Sequence, residues 1–236
     1  LPVVDPDRRE LLISCAAALF NLRVAAEYLG HQYKVELLPD PALPNLVARF
    51  HLGLQGDTSS EDVLMFQALT ERRTNRTAFR PDSIATEVLT SLVESAEREG
   101  AWLVCLETGE SRIALANLVA EADRYQWADR RFRQELSAWV RTKPEMHTDG
   151  LPAQTLGVKD WLSFAGPSLI RTFDRGGGLA ARDRDIALHS PVLAVLGTDA
   201  DDPASWMAAG QALENVLLRA SSEGVSSSFL CQPVEV

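Results

Sequence analysis

The stretch PVLAVLGTDADDPASWMAAGQALENVLLRASSEGVSSSFLC (191–231) holds the pattern that decides the fold. Residues 191–197 are a short apolar run typical of a buried strand, and residues 225–231 are a second strand-like run. Between them, Asp202 precedes Pro203 at the start of a long helical pattern, because Asp can cap free amides and Pro fits the first helical turn. The stretch therefore predicts a strand, a helix and a final strand.

The start of the chain resembles a second copy of this pattern. Residues 11–30 predict a helix that is rich in Ala and Leu and is ended by Gly30. Two strand-like runs follow, at 33–38 and 46–54. A shift of 194 positions aligns residues 5–40 with residues 199–234 without gaps and with eight identities. This indicates an internal repeat, whose two similar halves would pack about a pseudo-two-fold axis.

The middle of the chain predicts further helices and one strand, and then an irregular stretch. Thr58 and Glu61 match a capping box that opens a helix running towards Arg72. The remaining regular elements are a helix after Pro81 to about Gly100, a strand at 101–107 and helical periodicity from about 110 to 142. Regularity fades over about 142–190, and a loop this long is usually a functional cover or a partly disordered connection.

Composition narrows the class of protein. The formal net charge of −10 argues against binding nucleic acid, which requires a basic surface. We find no apolar run of the ~18 residues needed to cross a bilayer and no signal peptide, so we expect no membrane segment. Three widely spaced cysteines (Cys15, Cys105, Cys231) favour a reducing cytoplasm. The four histidines are scattered without metal-ligand spacing, so no metal site is expected.

The strongest local signal is ERRTNRTAFR (71–80), which follows one predicted helix. The arginines at 72, 73 and 76 lie beside the hydroxyls of Thr74 and Thr77 in an otherwise acidic chain. Guanidinium groups match the geometry of a phosphate well. The same residues also fit a solvated basic turn that caps a helix C-terminus, where cations are favoured. The residues alone leave the two readings evenly balanced. Within helix 11–30, Arg23 and Glu27 are spaced as an ordinary solvated ion pair.

Arg-Arg-Thr-Asn-Arg (72–76) resembles the phosphate-binding signature of FMN-dependent nitroreductases, and residues 191–233 resemble the later core of that family. The longer resemblance is to an actinobacterial branch in which two halves are fused in one chain. Four phrases carry it, namely CAAALFNLR (15–23), LLPDP (37–41), RRTNRTAF (72–79) and QALENVLL (211–218). The resemblance covers most of the chain except the irregular stretch.

Carried over by position, the resemblance implies that Arg72, Thr74 and Arg76 bind the flavin phosphate. It places Cys231 and Gln232 beside the flavin ring near N5, where backbone amides matter more than side chains. For Cys231, a buried small apolar residue is an equally weighted alternative. The resemblance implies no general acid or base, so no catalytic residue is assigned.

The chain also departs from the family pattern. Of the family's Pro-Ser-x-x-Asn-x-Gln-Pro-Trp stretch, only Trp102 remains in residues 94–107. The other copy would precede Leu1 and a basic phosphate ligand would follow Val236, so we expect both ends of the natural protein to lie outside this sequence. One FMN per chain is therefore expected. The expected organisation is a first half at 1–56 and a second half at 57–236, with a loop or lid at about 142–190.

The expected fold is α+β, a nitroreductase-like mixed sheet flanked by helices with two pseudo-symmetric halves in one chain. The resemblance implies an oxidoreductase that passes hydride from NADH or NADPH through FMN to a small acceptor such as a nitro-compound or a quinone. It also permits a lidded protein that sequesters or stores FMN, and a third possibility is a flavin-free scaffold. The arginine cluster counts against that third possibility. The expected state is a pseudo-dimeric monomer or a homodimer.

Overall fold

The computed structural model of the chain describes residues 1–75, 77–106, 109–141, 149–152, 170–171 and 176–236. The helices in these residues are α1 (Arg9–Tyr28), α2 (Ser60–Glu71), α3 (Thr86–Glu97), α4 (Glu110–Ala128), α5 (Arg130–Trp139), α6 (Gly176–His189) and α7 (Pro203–Ser222). The strands are β1 (His31–Leu37), β2 (Ala48–Gln55), β3 (Trp102–Leu106), β4 (Val140–Arg141), β5 (Leu151–Pro152) and β6 (Leu193–Gly197), and a 3-10 helix covers Gln232–Val234. The mixture of helices and small sheets confirms the expected α+β class.

Within the described residues the strands form three two-stranded sheets. β1 pairs antiparallel with β2, with Val35 opposite Phe50, and β3 pairs antiparallel with β6, with Val104 opposite Val195. The short β4 and β5 run parallel. Each strand therefore pairs with one other strand only, β3 with the distant β6, and the helices contribute most of the buried apolar residues.

The chain divides into two compact units. The larger unit comprises Asp7–Gly109 and Ser190–Phe229, and the smaller unit comprises Leu1–Pro6, Glu110–His189 and Leu230–Val236. These units do not coincide with the halves expected at 1–56 and 57–236. Units defined by compactness do not test an ancient duplication, so the two halves remain a prediction.

In the larger unit, α7 is the central helix, and it packs against α1, α2 and α3. Three apolar clusters surround it. The first joins α7 to α3 and β3, and its buried residues are Leu89, Leu92, Ala96, Ala101, Leu103, Ala212 and Ala220. The other two lie against α1 and α2, with buried residues Phe20, Val24, Met65, Ala68 and Leu218 in one and Leu12, Ala16, Leu19 and Met207 in the other.

The contact between α1 and α7 agrees with the proposed repeat. Under the 194-residue shift in sequence, the first and last residues of α1 (Arg9–Tyr28) correspond to the first and last residues of α7 (Pro203–Ser222). Gly30 and Gly224 follow the two helices with φ of 70° and 72°. Gly210 lies against Ala16, its own counterpart under the shift. Contact between equivalent residues is what a two-fold axis produces.

The start of α2 differs by one residue from the expected capping box. The Ser59 hydroxyl accepts from the Asp62 amide at 3.2 Å, and the Asp62 carboxylate accepts from the Ser59 amide at 2.7 Å. The predicted pair, Thr58 and Glu61, has the same spacing, but the Thr58 hydroxyl instead donates to the Tyr28 carbonyl at 3.1 Å. The sequence matches the motif both at Thr58/Glu61 and at Ser59/Asp62. The contact of Thr58 with Tyr28, 30 positions earlier, decides between them and is seen only in the structure.

Two other predicted elements are wrong. Residues 225–231 form no continuous strand, since only Ser227 makes a bridge, to Thr74, and a 3-10 helix begins at Gln232. The last part of the expected 142–190 loop is helix α6, even though it begins with three glycines. That helix buries Ala180 and Ala187, so packing outweighs the poor helix propensity of glycine. Residues 142–148, 153–169 and 172–175 lie outside the described residues, and the expected lid stays a prediction.

The smaller unit is built on α4, which packs against α6 and the 3-10 helix. Its apolar cluster contains the buried residues Trp127, Val140 and Ile170. The first residues of the chain join this unit because the amides of Val3 and Val4 donate to the Glu135 carboxylate, at 3.1 Å each for the shorter bonds. The unit therefore gathers segments from both ends of the sequence.

Helix α1 is long and apolar enough, by length and composition alone, to cross a membrane. The expectation that no segment reaches this threshold is therefore wrong. The same helix packs against α7 and buries Leu12, Ala16, Leu19 and Val24. Because core helices of compact proteins pass this test as well, the finding is weak support for a membrane segment.

The close approach of α1 and α7 predicts a large effect of a single methyl group at Gly210. A Cβ at this position would overlap the Ile13 carbonyl oxygen and the Ala16 Cβ. We expect Gly210→Ala to lower the free energy of unfolding by roughly 1–3 kcal/mol, as overpacking does, measured by urea denaturation. Gly178→Ala in α6 is the control, since its new Cβ meets nothing within 4 Å and it should be neutral or stabilising by up to about 1 kcal/mol. Equal stability of the Gly210 variant and the wild type would contradict this packing.

Candidate functional site

The candidate phosphate-binding residues lie in an extended segment that follows α2 in the larger unit. Arg72 is the first residue after the helix, with φ −54° and ψ 127°. Thr74 forms a parallel bridge with Ser227, and the Asn75 amide donates to the Ser227 carbonyl at 2.8 Å. The bridge fixes the backbone of the arginine-rich segment against the stretch that follows α7.

Arg72 lies beside a buried carboxylate from the middle of α7. Its Nε is 3.7 Å from Oε1 of Glu214, and the Arg72 side chain keeps 28% of its surface exposed. This distance is too long for a hydrogen bond, and no described residue accepts one from the Arg72 guanidinium. The Thr74 hydroxyl likewise has no hydrogen-bond partner among the described residues. A partly exposed guanidinium and a hydroxyl two residues further along the segment, both able to donate, are donors of the kind that a phosphate monoester needs.

The neighbouring residues of the motif have structural roles. Arg73 donates from Nη1 to the carbonyls of Thr70 and Arg72, at 2.8 Å each. This is the helix-capping alternative, and it holds for Arg73. The Asn75 side chain makes three hydrogen bonds with Thr77, between 2.7 and 3.1 Å, on either side of position 76. Arg76 itself lies outside the described residues.

Cys231 and Gln232 belong to the smaller unit, at the start of the 3-10 helix. The bonds within that turn use the backbone amides of Val234 and Glu235, so the turn itself does not use the backbone amide of Gln232. Cys231 is exposed, and the alternative of a buried apolar residue is therefore wrong. Their role beside a flavin ring stays a prediction.

Comparison with known proteins assigns the family. The sequence profile described as the Nitroreductase family matches residues 69–234, which is 166 of 236 residues and includes every candidate site residue. The chain belongs to the nitroreductase family.

Two similar relatives come from Mycobacterium tuberculosis (strain ATCC 25618 / H37Rv). "Putative NAD(P)H nitroreductase Rv3131" is 30% identical, over 98% of this chain and 65% of the relative. "Uncharacterized protein Rv3127" is 24% identical, over 100% of this chain and 67% of the relative. The chain thus spans about two thirds of the length of these two relatives.

Glu214 is a residue of the candidate site that the sequence analysis missed. It is buried on α7, in the stripe formed with Met207, Gln211 and Leu218. A charged residue at an apolar position of a helical stripe is a signal, because buried carboxylates need a partner. The sequence does not show that this partner is Arg72, 142 positions earlier.

The expected Arg23–Glu27 pair is wrong, because Arg23 points into a network with other elements. Its guanidinium donates to the Glu99 carboxylate at 2.5 and 3.1 Å, to the Gln211 side chain at 2.9 Å and to the Tyr33 hydroxyl at 3.0 Å. Burial would lower the pKa of Arg23, but the bonds to Glu99 and Tyr33 outweigh it and raise the pKa. Glu27 accepts from Tyr33 at 2.7 Å. This network joins α1, β1 and α7 and is a structural element.

Among the described residues, no group of three or more His, Cys, Asp or Glu is placed to hold a metal ion. The candidate site in the described residues is therefore the group of hydrogen-bond donors around Arg72.

The Arg72–Glu214 pair predicts coupled effects on stability. We expect Arg72→Ala to lower the free energy of unfolding by about 1–3 kcal/mol, because it leaves a buried carboxylate without its cation. The double variant Arg72→Ala/Glu214→Gln should recover a large part of that loss in urea denaturation. Arg80→Ala is the control, since its pair with Asp82 is exposed and should contribute little. Strictly additive effects at positions 72 and 214 would contradict the pairing.

Proposed function

We propose that this chain, within its full-length protein, binds FMN and acts as an NAD(P)H-dependent oxidoreductase on a small molecule. The observation that carries the proposal is that the Arg72 guanidinium and the Thr74 hydroxyl, two positions apart in one segment, have hydrogen-bonding capacity that no described residue uses. The family assignment supports an oxidoreductase, and the name of the 30% identical relative supports NADH or NADPH as the reductant.

Arg72 and Thr74 would hold the phosphate of the flavin, together with Arg76. Glu214 approaches the Nε side of Arg72, so the two terminal nitrogens retain four N–H donors for phosphate oxygens. The bridge to Ser227 would keep these donors at fixed positions before the ligand arrives, which lowers the ordering cost of binding. FMN would supply the redox chemistry, by accepting hydride from a nicotinamide and passing it to an acceptor such as a nitro-compound or a quinone.

We also propose that two related halves are present in one chain, with one FMN per chain. The equal lengths of α1 and α7 and the contact of Ala16 with Gly210 support a pseudo-two-fold arrangement. A cytoplasmic location, a small-molecule substrate and a monomeric or homodimeric state belong to the same proposal. No side chain is proposed as a general acid or base.

The phosphate role predicts a difference between FMN and riboflavin, which lacks the phosphate. In the full-length protein, Thr74→Val removes the hydroxyl and should weaken FMN binding about tenfold while leaving riboflavin binding unchanged. Arg72→Ala/Glu214→Gln should weaken FMN binding by roughly ten- to a hundredfold relative to Glu214→Gln alone, a comparison that removes the effect of an unpaired carboxylate. Arg76→Ala should behave like the Arg72 change.

Fluorescence titration with both flavins measures these affinities. Thr77→Val is the matched control, because the Thr77 hydroxyl is already bonded to Asn75. Equal losses for FMN and riboflavin would mean that the residues are structural. A full-length protein that is colourless and takes up no FMN would overturn the proposal.

Turnover separates an oxidoreductase from an FMN store. We expect NADPH or NADH to bleach the flavin absorbance of the FMN-loaded, full-length protein in anaerobic stopped-flow, and a nitro-compound or quinone to restore it. FMN that stays oxidised with both nicotinamides would contradict the oxidoreductase and favour sequestration. Replacing only residues 153–169 by a short Gly/Ser linker, which keeps α6, should accelerate reduction if that segment excludes the nicotinamide.

A further inference from the structure

The segment that contains Gln232 is fastened to the helices of the smaller unit by two glutamine–carboxylate contacts. The Gln232 Nε2 donates to Oδ2 of Asp183 in α6 at 3.0 Å. The Gln126 Nε2 of α4 donates to Oε2 of Glu235 at 2.6 Å. In the first bond the glutamine belongs to the segment, and in the second it belongs to the helix. One bond lies at each end of the 3-10 helix, so both ends are attached.

Next to the first contact lies a buried carboxyl group, one oxygen of which has no hydrogen-bond donor among the described residues. Asp123 of α4 is 2% exposed, and its Oδ2 has no hydrogen-bond partner among the described residues. The Gln232 side chain lies against Asp123, and its Oε1 is also buried without a described partner. Two buried acceptor oxygens on interacting side chains thus have no donor within the described part of the chain, and a buried acceptor without a donor costs free energy.

A proton on Asp123 would supply the missing donor. A protonated carboxylic acid has one O–H donor, whereas the carboxylate only accepts. Gln232 would then donate to Asp183 through Nε2 and accept from Asp123 through Oε1. The glutamine side chain would be held at both ends, and its amide orientation would be fixed.

The charges around Asp123 favour this protonated form. Burial raises the pKa of Asp123 to about 7, and the negative charges of Asp183 and Glu235 act in the same direction, against the opposing effects of Gln232 and Arg124. Burial also raises the pKa of Asp183, against the opposing effects of Arg182 and Gln232. Two buried carboxyls close together do not ionise independently, so one proton is retained more easily than in water.

We propose that Asp123 is a positioning residue, which in its neutral form donates to Gln232 and, with Asp183, fixes the segment that carries Cys231 and Gln232. The pairing itself does not depend on the flavin. Its consequence for catalysis rests on the proposed function, because the family resemblance places these two residues beside the flavin ring.

The sign of the pH dependence follows from the raised pKa of Asp123. A carboxyl group that holds its proton more tightly in the folded state stabilises that state most at low pH. The stabilisation is complete below the ordinary Asp pKa near 4 and is lost as the pH rises to about 7. Docking of the segment should therefore weaken between pH 4 and pH 7–8, and the raised pKa of Asp183 acts in the same direction.

Hydrogen–deuterium exchange of the peptide that contains residues 230–236 tests the proposal in the full-length protein without FMN. Wild type, Asp123→Asn and Asp185→Asn are compared at the same pH, so that the intrinsic exchange rate cancels. Asp123→Asn carries a permanent neutral donor, and the protection of its segment relative to wild type should increase about tenfold or more between pH 5.5 and pH 8.5. Asp185, on the exposed side of α6, should match wild type at every pH.

Two results would overturn the proposal: equal exchange of wild type and Asp123→Asn at both pH values, or a protection ratio that does not change with pH. If Asp123→Asn does not fold, wild type and Gln232→Met carry the test. The loss of protection between pH 5.5 and 8.5 should then occur in wild type and disappear in the variant, and its absence from wild type would overturn the proposal. Because no flavin is present, these results are independent of whether the protein binds FMN.

Discussion

The close contact of α1 and α7 at Ala16 and Gly210 is the constraint on which the larger unit depends. With α1 this near, and with α2 and α3 on its other sides, α7 has few positions left that face solvent. Its polar residues Gln211, Glu214 and Asn215 are consequently buried. Each needs a hydrogen-bonding or charged partner, since burying a polar group without one costs up to several kcal/mol of folding free energy.

The partners of these three residues come from three different elements. Gln211 accepts from Arg23 of α1, Glu214 faces Arg72 after α2, and Asn215 donates to the Ser95 carbonyl of α3 at 3.1 Å. Burial of one helix therefore sets the position of the arginine that is the candidate phosphate ligand. Loss of this partner is expected to cost about 1–3 kcal/mol, and a charge-assisted bond to phosphate contributes about 1.5–3 kcal/mol. The pairing with Glu214 and the proposed ligand contact are thus of similar strength, so Glu214 helps to hold Arg72 in place without a ligand.

Local patterns predicted the elements whose ends are set by nearby residues. Asp202 caps α7 through the Ser205 amide at 2.8 Å, and Gly30 follows α1 in the left-handed region, as the sequence indicates. The pattern failed where tertiary contacts decide: Ser59 rather than Thr58 caps α2, residues 225–231 pair only at Ser227, and packing makes Gly176–His189 helical. For the site, Arg72 and Thr74 are visible in a short motif. Glu214 and Asp123 are not, because their roles depend on residues far away in the chain.

Both units place a carboxyl group in the buried stripe of a long helix, but they satisfy it differently. In α7, Glu214 faces a guanidinium, which carries a full charge at any physiological pH. In α4, Asp123 continues the stripe of Ala116, Val119 and Ala120, and its neighbours are an amide and a second carboxyl group. A guanidinium can balance a buried negative charge, whereas an amide can only hydrogen-bond, and a second carboxyl group adds repulsion. The carboxyl group of the larger unit is therefore satisfied by a cation, while the pairing of Gln232 with Asp123 depends on a proton that is exchanged near neutrality.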